Sequence, residues 1–100
     1  MSYAATVTLD VDNGRLEDYQ AIYKHLEGIG LSRTIKGEKE HKLPETTLYG
    51  VFEGASTTAV RDHVSAEADK AYSLAKVSGK VFVTVGGTSH TWGIRYPKKA

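Results

Sequence analysis

The chain has 100 residues, of which 40% are hydrophobic and 25% charged, a balance typical of one soluble globular domain with a single core. The formal net charge of +1 excludes a strong overall attraction to nucleic acid, so any such binding would need a local basic patch. There is no cysteine, which excludes disulfides, thiolate metal sites and cysteine nucleophiles.

The amino-terminal stretch has no basic region followed by an apolar one, so we expect no signal peptide. No apolar run approaches the roughly 20 residues that a membrane helix needs. We therefore expect a cytoplasmic protein without membrane contact. Residues 97–100 are expected to form a frayed tail.

The first predicted element is a strand over residues 3–11. Apolar and polar residues alternate along it, and the period of two indicates a strand with one buried face. The apolar set is Ala5, Val7, Leu9 and Val11. The sequence Asp12-Asn13-Gly14 then predicts a turn.

A helix is predicted over residues 15–29, because apolar residues now recur at intervals of three and four. Asp12 or Asn13 is expected to cap its first turn, and Gly30 is expected to end it. The apolar stripe consists of Leu16, Tyr19, Ile22, Tyr23, Leu26 and Ile29.

The middle of the chain predicts two short strands, over residues 31–36 and 46–53. Residues 37–45 between them are polar and charged, and we expect a long, mobile hairpin connection. Gly50 marks a bulge or a close approach within the third strand. Both faces of that strand are substantially apolar, so the sequence does not decide which of them is buried.

The last third of the chain predicts a helix over residues 58–77, with Ser56, Thr57 and Thr58 as candidate caps. Its inner stripe is small: Val60, Val64, Ala68, Ala71 and Ala75. Two strands are predicted to follow, over residues 80–85 and 88–96, separated by a break at Gly86-Gly87.

The predicted order is β-α-β-β-α-β with a short fifth strand at the carboxyl end. Because crossovers are right-handed, this order predicts a ferredoxin-like α+β fold. It would be a single domain over residues 1–100, with a four-stranded antiparallel sheet and both helices on one face.

The other face of that sheet would be open, with Phe82 on it. An apolar sheet face is rarely left uncovered in a small protein, so we expect a homodimer. The fifth strand is well placed to join the sheet edge of a partner. The predicted dimer interface is Phe82, Trp92, Ile94 and Tyr96.

Asp10 is the candidate metal ligand and catalytic residue, because it ends the first strand on the open face. Carboxylate oxygens suit Mg²⁺, and two copies of Asp10 could meet across a two-fold axis and share one ion. The alternative is an ordinary solvated strand end. Asp12 is better explained as turn and cap chemistry.

The sequence offers two further candidate sites, one for catalysis and one for nucleic-acid binding. His90, after the Gly-Gly break, is the one histidine in a setting suited to general acid or base catalysis. A basic cluster on the second strand and its loop is the candidate nucleic-acid contact, although neighbouring glutamates offset its charge. The cluster is Arg33, Lys36, Lys39 and Lys42.

Several stretches together carry a resemblance to a known group of proteins: "TVTLDVD", "LEDYQAIYKHLEGIGLSR", "LPETTLYGVF", "STTAVRDHV" and "KVFVTVGG". In pattern the chain resembles the superfamily of small ferredoxin-like proteins that includes the second CRISPR-associated protein, the toxin VapD and the antitoxin GhoS. The resemblance implies an RNA-cleaving antitoxin, a metal-dependent nuclease or a structural dimer. It also implies a metal-binding role for the aspartate that ends the first strand, here Asp10.

The sequence therefore supports two hypotheses. In the first, the protein is a dimeric, Mg²⁺-assisted endoribonuclease of a toxin–antitoxin or CRISPR-like system. In the second, it is a non-catalytic dimeric module for protein interaction or regulation.

Overall fold

The computed structural model describes residues 1–89 and 91–98. Seven elements follow one another along the chain, five strands and two helices. They are β1 (Ser2–Val11), α1 (Leu16–Gly28), β2 (Thr34–Lys36), β3 (Glu40–Lys42), β4 (Thr47–Glu53), α2 (Thr57–Ala75) and β5 (Gly79–Gly87).

The main sheet has three strands, with β1 in the centre and β4 and β5 antiparallel on either side. Val7 lies opposite Leu48 on β4 and opposite Val83 on β5. This register settles the ambiguity of the third predicted strand: Leu48 and Phe52 share the face of Val7 and pack in the core. Thr47, Tyr49 and Val51 therefore lie on the opposite face, here called the open face.

Both helices cover the face of the sheet that carries Val7. Ile22 and Leu26 of α1 and Val64 of α2 are fully buried in one cluster with the strands. Burial of an aliphatic side chain of this size contributes roughly 1.5–3 kcal/mol. The alternation of β1 and both helical stripes are thus confirmed as the core, except that Leu16 is 73% exposed.

The bounds of α1 are close to those predicted, but the residue that caps the helix differs from the predicted one. Arg15 precedes the helix, and its backbone N–H donates to the Asp18 carboxylate at 3.0 Å. Asp12 and Asn13 lie too early to cap, because Asn13 adopts φ 52° in the turn and Asp12 accepts from the Ser78 hydroxyl at 3.1 Å. Gly30, at φ 111°, follows the end of the helix as expected.

Ser56 caps α2, since its hydroxyl accepts from the Ala59 backbone N–H at 3.0 Å. The helix ends at Ala75, and Lys76 after it takes the left-handed conformation at φ 58°, two residues before the predicted stop at Ser78-Gly79. Tyr72 is buried beside the predicted alanine stripe, and its large side chain was not foreseen there.

The predicted four-stranded sheet is not formed as expected. The second predicted strand meets β4 through a single bridge, in which Ser32 and Tyr49 exchange two backbone hydrogen bonds of 2.8 Å. The chain then leaves the sheet, and β2 pairs with β3 as a separate hairpin. The connection predicted over residues 37–45 therefore contains a strand, because Lys36 lies opposite Glu40 and Ile35 opposite His41.

Gly50 lies at the point where this departure begins. A Cβ atom added to Gly50 would approach the Gly30 carbonyl oxygen to 2.6 Å, so the predicted close approach is confirmed. The backbone after α1 thus passes directly against β4.

The predicted fifth strand is also wrong within the described part of residues 88–96, where no strand is present. Gly86 and Gly87 do not interrupt the strand, since β5 continues through both of them. Among the described residues, no helix is long and apolar enough to cross a membrane.

Candidate nucleic-acid interface

A cavity of about 440 Å³ lies between α1 and the connection from β3 to β4. We call it the basic cleft. It is lined by Leu16, Tyr19, Gln20, Tyr23, Arg33, Lys42, Leu43, Pro44, Glu45, Thr46 and Thr47.

Two tyrosines of α1 build the floor of the basic cleft. Tyr19 and Tyr23 are four residues apart, so they lie on one helix face, with ring centroids 6.2 Å apart. The Tyr19 hydroxyl accepts from the Val11 backbone N–H at 3.0 Å, and the Tyr23 hydroxyl accepts from the Thr46 N–H at 3.1 Å. Both hydroxyl groups therefore fix loops to the helix.

Two cations project into the same cleft. The Arg33 guanidinium carbon lies 4.6 Å from the centroid of the Tyr23 ring, a cation–π contact. The Arg33 carbonyl accepts from the Leu43 N–H at 2.8 Å, which holds the segment with Lys42 alongside. One carboxylate, Glu45, also lines the cleft and lowers its positive potential.

Thr46 forms part of the cleft wall in a strained conformation. Its φ of 68° is in the left-handed region, which β-branched residues rarely adopt. The conformation is held on both sides, because the Thr46 carbonyl accepts from the Leu9 N–H at 2.9 Å while its own N–H binds Tyr23.

The four predicted basic residues separate into two pairs. Arg33 and Lys42 line the basic cleft, whereas Lys36 and Lys39 do not. Lys36 lies opposite Glu40 in the hairpin, and the Lys39 carbonyl accepts from Gly37 at the hairpin turn. The predicted cluster is thus only partly brought together.

Asp10 is exposed on the open face, opposite Lys80 of β5. Within residues 1–89 and 91–98, no three His, Cys, Asp or Glu residues come together as a metal-binding group. A single Asp10 beside a lysine does not fit Mg²⁺ well, because the ion would need further oxygen ligands from elsewhere. His90, the other predicted catalytic residue, lies outside the described residues.

The C-terminal segment, residues 91–98, packs on its own chain. Tyr96 is hydrogen-bonded to His41 Nδ1 at 2.7 Å, and the Trp92 ring lies against Gly37. Together with Thr6 and Tyr49 of the open face, this segment and the hairpin enclose a cavity of about 310 Å³. Trp92 is 38% exposed and Ile94 half-buried, so much of their surface is already used within the chain.

Phe82 differs from the other predicted interface residues. It lies on the open face as expected, is 66% exposed, and is not among the residues that line the cavity under the C-terminal segment. The open face is thus covered near Tyr49 and exposed near β5.

One polar contact joins the two helices. His25 Nε2 lies 2.9 Å from the Glu67 carboxylate, and both side chains are about three quarters buried. This hydrogen bond lowers the pKa of Glu67 below its usual value. Neither residue was a predicted site, and their spacing of 42 positions gives no sequence signal.

Comparison with known protein families, with curated proteins and with solved structures finds no match for this chain.

Proposed function

We propose that this protein binds RNA, with the basic cleft as its contact for a backbone phosphate. The observation that carries the proposal is the half-buried Arg33 guanidinium stacked on Tyr23 beside Lys42. A stacked guanidinium is held in a fixed plane and presents its donors as a fork, the geometry that matches phosphate oxygens.

The remaining lining of the basic cleft suits a nucleotide better than a bare phosphate ion. The exposed Leu16 and the half-buried Tyr19 provide an apolar part of the lining, against which a ribose or a base can pack. A cavity of about 440 Å³ is within the usual range for sites that take a small organic group. One nucleotide of a single strand would fill it.

The proposal predicts a local electrostatic contact. We expect Arg33→Ala to weaken binding of a labelled single-stranded RNA roughly tenfold and to reduce the salt dependence by about 0.7 in the slope of log K against log salt. Fluorescence anisotropy across a salt series measures both quantities.

Two variants serve as controls for this measurement. Lys70→Ala removes the same charge from the exposed face of α2 and is expected to bind as the unmodified chain does. Arg33→Lys keeps the charge but loses the planar fork, so we expect an intermediate affinity. If Lys70→Ala weakened binding as much as Arg33→Ala, the site would not be the basic cleft. A labelled DNA of the same sequence tests the preference for RNA.

Metal-assisted cleavage is the stronger form of the proposal. It requires Mg²⁺ and an Asp10 carboxylate supplemented by a second chain, because within the described residues Asp10 belongs to no group of three candidate metal ligands. The test is cleavage of labelled RNA and DNA with and without Mg²⁺, using Asp10→Ala and the exposed control Asp69→Ala. Cleavage that survives in Asp10→Ala would rule out this mechanism. A catalytic role for His90 stays a prediction.

The alternative is a non-catalytic dimeric module for interaction or regulation, and the exposed part of the open face favours it. Phe82 on β5 is 66% exposed and Val51 on β4 is 52% exposed, and each is a solvated apolar side chain that a partner could cover. This candidate predicts no turnover of RNA or DNA under any of the conditions above.

The spatial order of the strands supports a separate proposal about the fold. Counting the Ser32–Tyr49 bridge as a remnant of the second strand, the spatial order is second, third, first, fourth. We propose on this basis a ferredoxin-like topology whose second strand has been shortened to one bridge, in a cytoplasmic protein.

A further inference from the structure

Among the described residues, no strand lies beside one edge of the main sheet. β5 lies at the end of the order β4-β1-β5, and it runs for nine residues. Apart from the ladder with β1, no backbone group in the described part of the chain bonds the backbone of residues 80–86. The register with β1 runs unbroken from Gly87 to Gly79, so this edge is also regular.

The two edges of the sheet differ in how far other parts of the chain cover them. The far edge of β4 is closed in part by the backbone bonds to Ser32 and by the close approach of Gly30 to Gly50. The far edge of β5 has no proline or bulge and one charged residue, Lys80. The unprotected stretch over residues 80–86 is a template for another strand.

A groove runs beside this free edge. It has a volume of about 230 Å³ and separates the first turns of α2 from Val83, Thr84 and Val85. Val83 and Val85 point toward the helical layer but are only half-buried, because no strand follows β5 on this side. A strand added at the edge would place alternate side chains in the groove and complete the burial of both valines.

The sequence of β5 identifies the strand that fits. In Gly-Lys-Val-Phe-Val-Thr-Val-Gly-Gly, the valines and the terminal glycines are placed symmetrically about Val83. Antiparallel pairing of two copies centred there would place Val81 opposite Val85 and Val83 opposite its own copy. On the open face, Phe82 would lie opposite Thr84 and Lys80 opposite Gly86, so no two large side chains and no two like charges face each other.

We infer that two copies of this chain pair antiparallel through the free edge of β5, with a two-fold axis at Val83. The pairing forms one continuous six-stranded sheet, and each copy uses the same surface, as two-fold symmetry requires. This interface differs from the one expected around the C-terminal segment, and it does not depend on RNA binding.

The pairing has a consequence for Asp10. The two β1 strands would lie three strand spacings apart, and their Asp10 residues would also be offset by six positions along the strands. At about 4.8 Å per strand and 3.4 Å per residue, the two carboxylates are roughly 25 Å apart, too far to share one metal ion. The edge dimer and a shared Asp10 site therefore exclude each other.

Light scattering on the full chain is the first test, with an expected mass of about twice the 10.9 kDa of one chain. The register is then tested with the cysteine-free chain as background. Phe82→Cys combined with Thr84→Cys places each new thiol opposite one of the partner's, within disulfide range. We expect oxidation to link this double variant at least about tenfold faster than either single variant.

Thr8→Cys is the matched control, because Thr8 lies on the open face of β1 opposite Phe82 but away from the free edge. Far-UV circular dichroism checks that each variant keeps the fold. A monomeric mass at all concentrations would overturn the inference, and so would single variants that link as fast as the double variant. Rapid linkage of Thr8→Cys would identify a face-to-face dimer instead.

Discussion

Thr46 is the residue whose conformation most needs explanation. A β-branched residue at φ 68° costs more than an unbranched one, since the left-handed region is unfavourable for L-residues by roughly 1–2 kcal/mol. Hydrogen bonds to Tyr23 and from Leu9 keep it there. Strain of this kind often accompanies a binding site, and Thr46 lies in the wall of the basic cleft.

The first prediction concerns this strain. We expect Thr46→Gly to raise the free energy of unfolding by up to about 1 kcal/mol, because glycine removes the Cβ clash at a smaller entropic cost. Urea unfolding measures the change. Thr47→Gly, one position later at the start of β4, should destabilise instead. Equal destabilisation by both variants would mean that Thr46 is not strained.

At the scale of single residues, the sequence predicts a residue's environment only where its charge or the local apolar pattern determines that environment. The charges of Arg33 and Lys42 are visible without the fold, but only the structure shows that both residues line one cleft. Tyr19 and Tyr23 were assigned to the helix stripe, but the bonds of their hydroxyl groups to distant backbone could not be read from spacing. The contact of His41 with Tyr96 spans 55 positions and carries no local signal.

At the scale of elements, strong periodicity was a reliable guide and weak periodicity was not. Both helices, β1 and β5 have clear patterns and were predicted within a few residues. β2 lies within the strand predicted over residues 31–36, whereas β3 has only three residues, Glu-His-Lys, and its polar sequence indicates a loop. The C-terminal segment alternates like a strand, yet in the described part it packs through Trp92 and Tyr96 side chains instead.

The contact between α1 and α2 gives a prediction for acidic pH. The hydrogen bond from His25 lowers the pKa of Glu67, so the folded state binds the Glu67 proton less readily than the unfolded state does. The stability that this contributes is present above the usual value of 4.5 and is lost as pH falls through the lowered pKa. Glu67→Gln should therefore be less stable than the unmodified chain at pH 6, and the difference should shrink below pH 4.5.

Urea unfolding at several pH values between 3 and 7 tests this expectation. Glu27→Gln is the control, because Glu27 is exposed on α1 and its carboxylate has no ion pair or hydrogen bond within the described residues. A difference for Glu67→Gln that stayed constant across the series would show that the carboxylate contributes nothing specific to its pairing with His25.

At the scale of the whole molecule, Tyr72 connects the helical layer to the sheet. Its hydroxyl donates to the Asp10 carbonyl at 2.8 Å and lies 3.4 Å from the Lys80 carbonyl, so it joins α2 to both β1 and β5. Burial raises the pKa of Tyr72 to about 12, against a usual value of 10. Ionisation would break the donated bond and place a charge in the core.

This position sets an alkaline limit on the stability of the fold. Because the unfolded chain releases the Tyr72 proton near pH 10 and the folded chain near 12, the free energy of unfolding should fall as pH rises between these values. Tyr72→Phe should lower the free energy of unfolding by about 1 kcal/mol at pH 8, because the hydrogen bond is lost. Since this variant has no hydroxyl group to ionise at position 72, its free energy of unfolding should not show this part of the fall between pH 10 and 12. The stability advantage of the unmodified chain over Tyr72→Phe should thus shrink between pH 10 and 12, whereas Tyr3→Phe, at a half-buried position, should track the unmodified chain. An advantage that stayed the same from pH 8 to pH 12 would mean that Tyr72 ionises equally readily in both states, and the connection between helix and sheet would then not limit alkaline stability.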